Sequence, residues 1–198
     1  MIFVTVGTHE QQFNRLIKFV DELKRDNIIT EDVIMQTGFC TYKPQYCEWH
    51  KLIPYSDMEK NVKEAKIVIT HGGPASFIMP LQIGKVPIVV PRQEKFGEHV
   101  NNHQVDFAKQ IAKRMGTIIP IYDIKNLKDT IINYDNIISN MDSHMGSNNA
   151  RFNKKLEKIV DGLFDEVKKA LIVAIKDDDE DGEQMADLLM VAKYLERI

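Results

Sequence analysis

Cysteine is scarce in this chain of 198 residues. It occurs twice, as Cys40 and Cys47, too few and too far apart for a disulfide framework or a zinc knuckle. Free thiols in a reducing compartment are the expectation. Long apolar runs are also missing. Stretches such as Ala170 to Ile175 fall far short of the ~20 residues that a membrane-spanning helix needs. Met1 leads straight into a strand pattern, so no leader peptide is expected. Neither sign of charge dominates: the formal net charge is -3, the two signs cancel over residues 1–150, and the acidic surplus lies beyond them. That balance excludes a basic surface the size of a duplex, and no nucleic-acid partner is expected. Two nucleotide signatures are absent as well. No G-x-G-x-x-G follows the first apolar strand and no G-x-x-x-x-G-K-[ST] occurs, which counts against a dinucleotide oxidoreductase and a P-loop ATPase. His99 and His103 stand four apart, but no H-E-x-x-H or third ligand accompanies them. No metal and no other cofactor is therefore expected.

What the chain does contain is a regular alternation. With 43% hydrophobic residues it can bury one good core but is short for two full domains. Apolar runs at 2–6, 32–38, 51–54, 66–73, 86–91 and 116–122 predict strands. Between them, helical periodicity predicts helices from about Gln11 to Arg25, 57–65, 75–83, Glu98 to Arg114 and 125–139. Two of these starts carry capping-box spacing, Thr8 to Gln11 and Ser56 to Glu59. Continuous apolar strands alternating with amphipathic helices imply a parallel sheet covered on both faces. The fold class is α/β, a doubly wound parallel sheet over residues 1–145. An amphipathic helical extension follows at 146–176, then an acidic linker and terminal helix at 177–198.

In such sheets ligands bind beyond the carboxyl ends of the strands, and two unusual loops fall there. Gly7-Thr8-His9-Glu10 follows the first strand; His71-Gly72-Gly73-Pro74-Ala75-Ser76 follows the fourth. Each runs into a helix, whose first turn offers unpaired N–H groups and a partial positive charge. Gly72 and Gly73 let an anion approach the backbone, Pro74 suits a first turn that has no use for its missing N–H, and Ser76 adds a hydroxyl. The alternative is a tight turn with no ligand. Polar residues concentrated just after the fifth strand, Arg92, Lys95, Glu98, His99, Asn102, His103 and Gln104, favour a diphosphate on the corner.

Taken in order, "MIFVTVGTHEQQFNRLI", "VITHGGPAS", "GKVPIVVPR" and "FGEHVNNHQ" resemble the carboxyl-terminal domain of family 28 glycosyltransferases over about residues 1–165. The resemblance is closest to the small bacterial subunits that build capsular or exopolysaccharide repeat units. It implies a Rossmann-like half of a GT-B enzyme, in which a UDP-sugar lies between two domains. A membrane-anchored partner subunit would supply the other wall and the lipid-linked saccharide acceptor, and the transferred hexose would be galactose. Localisation would be cytoplasmic, at the inner face of the plasma membrane through that partner. Carried over by position, Gly7 and Thr8 would face the diphosphate and His71 through Ser76 would form the nucleotide loop. Arg92, Glu98, Asn102, His103 and Gln104 would surround the sugar and ribose. Met79 stands where many relatives have a ribose-binding glutamate. The inverting transfer needs a base, for which His9 is the candidate; its other reading is a helix-start residue. A non-catalytic subunit that stabilises a partner enzyme is the competing function.

The remainder is less specific. Phe152, Leu156, Ile159, Val160, Leu163, Phe164 and Val167 form an apolar stripe, suited to packing on its own domain, to docking on a partner or to homodimerisation. Asp177-x-Asp179-x-Asp181-Gly182 imitates the start of a calcium loop, but Leu188 occupies the twelfth position, where a bidentate glutamate is required.

Overall fold

The computed structural model describes residues 1–145, with side chains as far as Met141. The expectations about residues 146–198 lie outside the described residues. Six strands, β1 (Ile2–Thr5), β2 (Val33–Gln36), β3 (Glu48–His50), β4 (Ile67–His71), β5 (Ile88–Val90) and β6 (Ile119–Pro120), form one sheet. Its order is β3-β2-β1-β4-β5-β6 and every pairing is parallel. The helices are α1 (Asn14–Arg25), α2 (Tyr55–Glu64), α3 (Pro74–Gln82), α4 (His103–Met115), α5 (Asn126–Ile132) and α6 (Tyr134–Met145). This is the doubly wound α/β arrangement expected of a Rossmann-like domain. Among the described residues no helix is long and apolar enough to cross a membrane.

The period of two along each strand sorts the core onto two faces. Ile2, Val4 and Val6, Ile67 and Ile69, and Ile88 and Val90 pack on one side with Leu16, Ile17 and Val20 of α1 and Leu127 and Ile131 of α5. Phe3 and Val68 point the other way, to Val62 of α2. Val89 does the same and meets Phe77 and Leu81 of α3 and Ala108 of α4. Lys85 closes the α2 terminus, donating from Nζ to the carbonyls of Val62, Lys63 and Ala65, the orphan acceptors that a helix end leaves.

Several boundaries differ from the sequence expectation for local reasons. The third strand is 48–50 rather than 51–54: Pro54 cannot donate to a ladder, and it serves as the N-cap of α2. Ser56 therefore lies inside the first turn, and neither α2 nor α1 has a side-chain cap. Helix α1 starts three residues later than expected. His9 Nδ1 accepts from Gln11 N–H at 3.2 Å and Gln12 Oε1 accepts from Asn14 N–H at 2.7 Å, local bonds that compete with the helix. Helix α4 starts at His103 instead of Glu98, because a 3-10 turn at Glu94–Phe96 ends in Gly97 at φ +65°. The predicted helix at 125–139 is two helices separated at Asn133.

Candidate functional site

Strand β1 lies between β2 and β4, so the connections wind outward in both directions from the β1–β4 gap. A crevice opens at such a switch point. The two glycine loops meet there around a single side chain, His71, the last residue of β4. A Cβ on Gly7 would lie 2.4 Å from His71 Cε1, and one on Gly73 would lie 2.5 Å from His71 Nε2. Neither distance is tolerable. Gly7 also sits at φ +70°, whereas Gly73 is extended, so at Gly73 the requirement for glycine is purely the imidazole behind it. Gly72 is closed by Gln104 and Pro91, each within 3.1 Å of where its Cβ would stand. The corner is bare because packing from behind fills it and leaves the backbone as its outer surface.

Pro74 opens α3, and no acidic residue stands in that first turn, so the terminal N–H groups are not neutralised in advance. Pro74 and Ala75 are exposed; Gly73 and Ser76 are half-buried. The Ser76 hydroxyl stands 3.5 Å from His71 Nε2. Burial, then the neighbouring Arg92 guanidinium, push the His71 pKa down to about 3. His71 is thus a neutral ring at physiological pH, and the corner's positive potential comes from the helix end.

Arg92 and Glu98 sit elsewhere than the resemblance implied. Both are 0% exposed. Arg92 Nη1 donates to the carbonyls of Gln11, Gln12 and Glu98, and Nη2 to that of Val6. Glu98 takes Arg15 in a two-pronged pair at 2.8 and 2.9 Å and accepts from Gln93 N–H at 3.0 Å. These charges tie the β1 exit loop to the β5 exit loop, and neither is presented to a ligand. Gln104 is buried too, its Oε1 accepting from Arg92 N–H at 3.2 Å. Asn102 is exposed and holds Glu94 through both amide atoms. Met79 packs with Phe3, Val62 and Val68. Arg15, which completes the network, was invisible in the sequence because its partner lies 83 residues away.

Three histidines cluster at the rim: the His9 and His99 rings are tilted and 4.7 Å apart, and His99 meets His103 edge to face at 4.3 Å. Among the described residues no group of three or more His, Cys, Asp or Glu converges to hold a metal ion. Hydrogen bonds fix the tautomers of two of them, His9 and His103. His9 Nδ1 accepts from Gln11 N–H, so the neutral ring carries its proton on Nε2, the free nitrogen, which is a donor. His103 is the reverse. Asn101 Oδ1 accepts from the His103 backbone N–H at 3.1 Å, which identifies that atom as the amide oxygen. His103 Nδ1 must then donate to it, leaving a lone pair on Nε2. His99 is buried, and desolvation chiefly, with His103, His9 and Arg92 beside it, lowers its pKa.

The family described as Glycosyltransferase family 28 C-terminal domain matches residues 1–157. The human protein named UDP-N-acetylglucosamine transferase subunit ALG13 is 34% identical over 121 residues, covering 57% of this chain and 10% of that protein. The Candida albicans protein of the same name is 26% identical over 163 residues, covering 80% and 50% respectively. The chain thus spans half or less of the length of these relatives. Among solved structures, the glycotransferase of kitacinnamycin aligns with a TM-score of 0.50 at 15% identity, over 79% of this chain and 42% of that one. The relatives' names specify N-acetylglucosamine; the expectation of galactose and of capsule synthesis finds no support in them.

Proposed function

The chain belongs to the glycosyltransferase family 28 C-terminal domain family, and from that premise we propose that it binds a UDP-sugar at the β1–β4 switch point. There it takes part in an inverting transfer to a lipid-linked saccharide, which a membrane-anchored partner subunit presents. The proposed place of work is the cytoplasmic face of the membrane, reached through that partner. The relatives' names put UDP-N-acetylglucosamine ahead of UDP-galactose as the donor.

The observation that carries this reading is the pairing of Gly7 and Gly73 across the His71 ring. It clears side chains from both sides of the α3 N-terminus, so a diphosphate can lie on backbone N–H groups without a bound metal to neutralise it. The departing UDP is stabilised by those fixed donors, by the Ser76 hydroxyl and by His9 Nε2–H. Arg92 supports the same chemistry at one remove by fixing the carbonyls of Val6, Gln11 and Gln12. His103 Nε2, with its free lone pair, accepts the proton of the attacking acceptor hydroxyl, a task that the His9 tautomer does not suit.

Calorimetric titration of the chain with UDP and with ADP, repeated on Gly73→Asp, tests the donor site. UDP-selective binding that the variant loses while circular dichroism shows it folded supports it. If neither nucleotide binds even with the partner present, the chain is a non-catalytic subunit that stabilises its partner. The base assignment has its own test. His103→Asn should lower kcat about 100-fold or more with UDP affinity kept, whereas His9→Asn should weaken UDP binding and lower kcat less. The opposite pattern restores His9 as the base.

A further inference from the structure

A second hollow of about 290 Å³ opens where the chain leaves β5 and β6, and it shares no lining residue with the glycine corner. Arg15, Lys95 and Lys125 line it with Asp123 and the rings of Phe96 and Tyr122. Its charges are poorly matched. Among the described residues neither Lys95 nor Lys125 forms an ion pair. Arg15 gives Nε and Nη2 to Glu98, and Nη2 also reaches the Pro91 carbonyl, but its Nη1 is buried and has no partner. The Arg15 guanidinium and the Lys95 ammonium each lie 4.8 Å from the Phe96 ring centre. Aromatic faces hold cations in place but do not neutralise them. The charged inventory around the hollow is three cations against Asp123 in its wall and Glu98 behind Arg15.

We propose that this hollow is a binding site for a phosphate-bearing ligand, a phosphomonoester or a diphosphate. Several acceptor oxygens on one compact anion satisfy two unpaired ammonium groups beside the Arg15 guanidinium, which a single carboxylate does less completely. The volume, near the lower limit of ligand pockets at ~300 Å³, admits the phosphate and the first part of what carries it. One wall is built on the loop that carries Glu98 and His99, and Gln93 of that loop donates to the Tyr122 carbonyl at 2.6 Å. The site stands on its own residues, whatever the glycine corner binds.

Pyrophosphate titrated into the full-length, isotope-labelled chain reads the two sites separately through backbone amide shifts. Amides at 95–97 and 122–125 should move in the unaltered chain and in Gly73→Asp. In Lys95→Ser with Lys125→Ser they should require at least ~10-fold more pyrophosphate, while the glycine-corner amides keep their response. Both lysines are on the surface, and circular dichroism checks that the double variant and Gly73→Asp keep their folds. Sedimentation with phosphatidylcholine vesicles, with and without phosphatidic acid, identifies the source of the phosphate. Binding to the acidic vesicles that the double variant loses assigns a lipid headgroup; pyrophosphate shifts without vesicle binding assign a soluble ester. No shift at 95–97 and 122–125, or a shift that the double variant keeps, overturns the proposal.

Discussion

The two sides of the switch point solve opposite problems. On the β4 side the chain ends in a corner made of backbone, a neutral imidazole and a free helix terminus, with no ionised side chain in it. On the β5 side it gathers Arg92 and Glu98, charged residues that look like ligand contacts and are turned inward, onto carbonyls and onto Arg15. Charge here builds the loops, and dipoles face the crevice. A guanidinium buried against four carbonyls gives a rigid frame, whereas backbone N–H groups can meet a diphosphate without first being pulled out of ion pairs. If this division is right, substitutions in the buried Arg92–Glu98 frame should act mainly on stability, and those of the groups that the corner turns outward mainly on ligand binding.

The largest expected effect is on the buried frame. Arg92→Met strands the carbonyls of Val6, Gln11, Gln12 and Glu98, and should cost about 3–5 kcal/mol in denaturant unfolding. Arg92→Lys should recover only part of this, since one ammonium cannot span the fork that a planar guanidinium covers. A loss under about 1 kcal/mol in Arg92→Met would mean that the loops hold without the frame.

Next in size is a pH effect belonging to His71. Its folded pKa, about 3, lies below the ~6.5 of an unfolded histidine, so between these values the unfolded chain binds the additional proton. Stability is then fully present above about pH 6.5 and falls as pH drops through that window, by up to several kcal/mol at ~1.4 kcal/mol per unit. Unfolding free energies measured at pH 7, 6, 5 and 4 should show this decline, and His71→Asn should reduce its slope, the lowered pKa of His99 keeping a remainder. An unchanged slope in the variant would show that the imidazole is not held neutral.

The division between the two sides was only partly legible in the sequence. Strand periodicity gave the sheet, and the glycine-rich turns marked the corner at its carboxyl end, because backbone requirements leave a local signature. The burial of Arg92 and Glu98 left none: an arginine that binds phosphate and one that clamps carbonyls are the same letter, and the partners that decide between them are up to 86 residues away. The delayed start of α4 was hidden for a related reason. His99, Asn102 and His103 have helical spacing, but Gly97 at φ +65° and the Asn102 bonds to Glu94 redirect the chain before the helix begins. Tautomers were equally out of reach, since His9 and His103 differ only in which local group their Nδ1 meets.

A smaller effect tests the corner's construction. Gly73→Ala places a methyl against the His71 ring and should cost about 1–3 kcal/mol by overpacking, with no contribution from backbone strain. Shrinking the ring in the same chain, Gly73→Ala with His71→Ala, should return part of that loss. A coupling of about 1 kcal/mol or more in the double-mutant cycle would show that the glycine is required by the imidazole. Additive losses would show that it is required by something else, and the bareness of the corner would then need another cause.

The smallest stability effect comes with the sharpest separation of the two sides. Ser76 is half-buried, and its hydroxyl reaches His71 only at 3.5 Å, so Ser76→Ala should leave unfolding within about 0.5 kcal/mol of the unaltered chain. A hydroxyl donating to a charged phosphate oxygen is worth more, roughly 1.5–3 kcal/mol, and its removal should weaken UDP binding by about 10-fold or more in calorimetry. The ratio of the two effects matters more than either value. Arg92→Met, carried through the same two measurements, should give the reverse, a large loss of stability with UDP affinity following only as the fold is lost. Were both variants to move stability and affinity in equal proportion, the crevice would be a single cooperative unit, and the distinction between charge that frames and backbone that binds would fail.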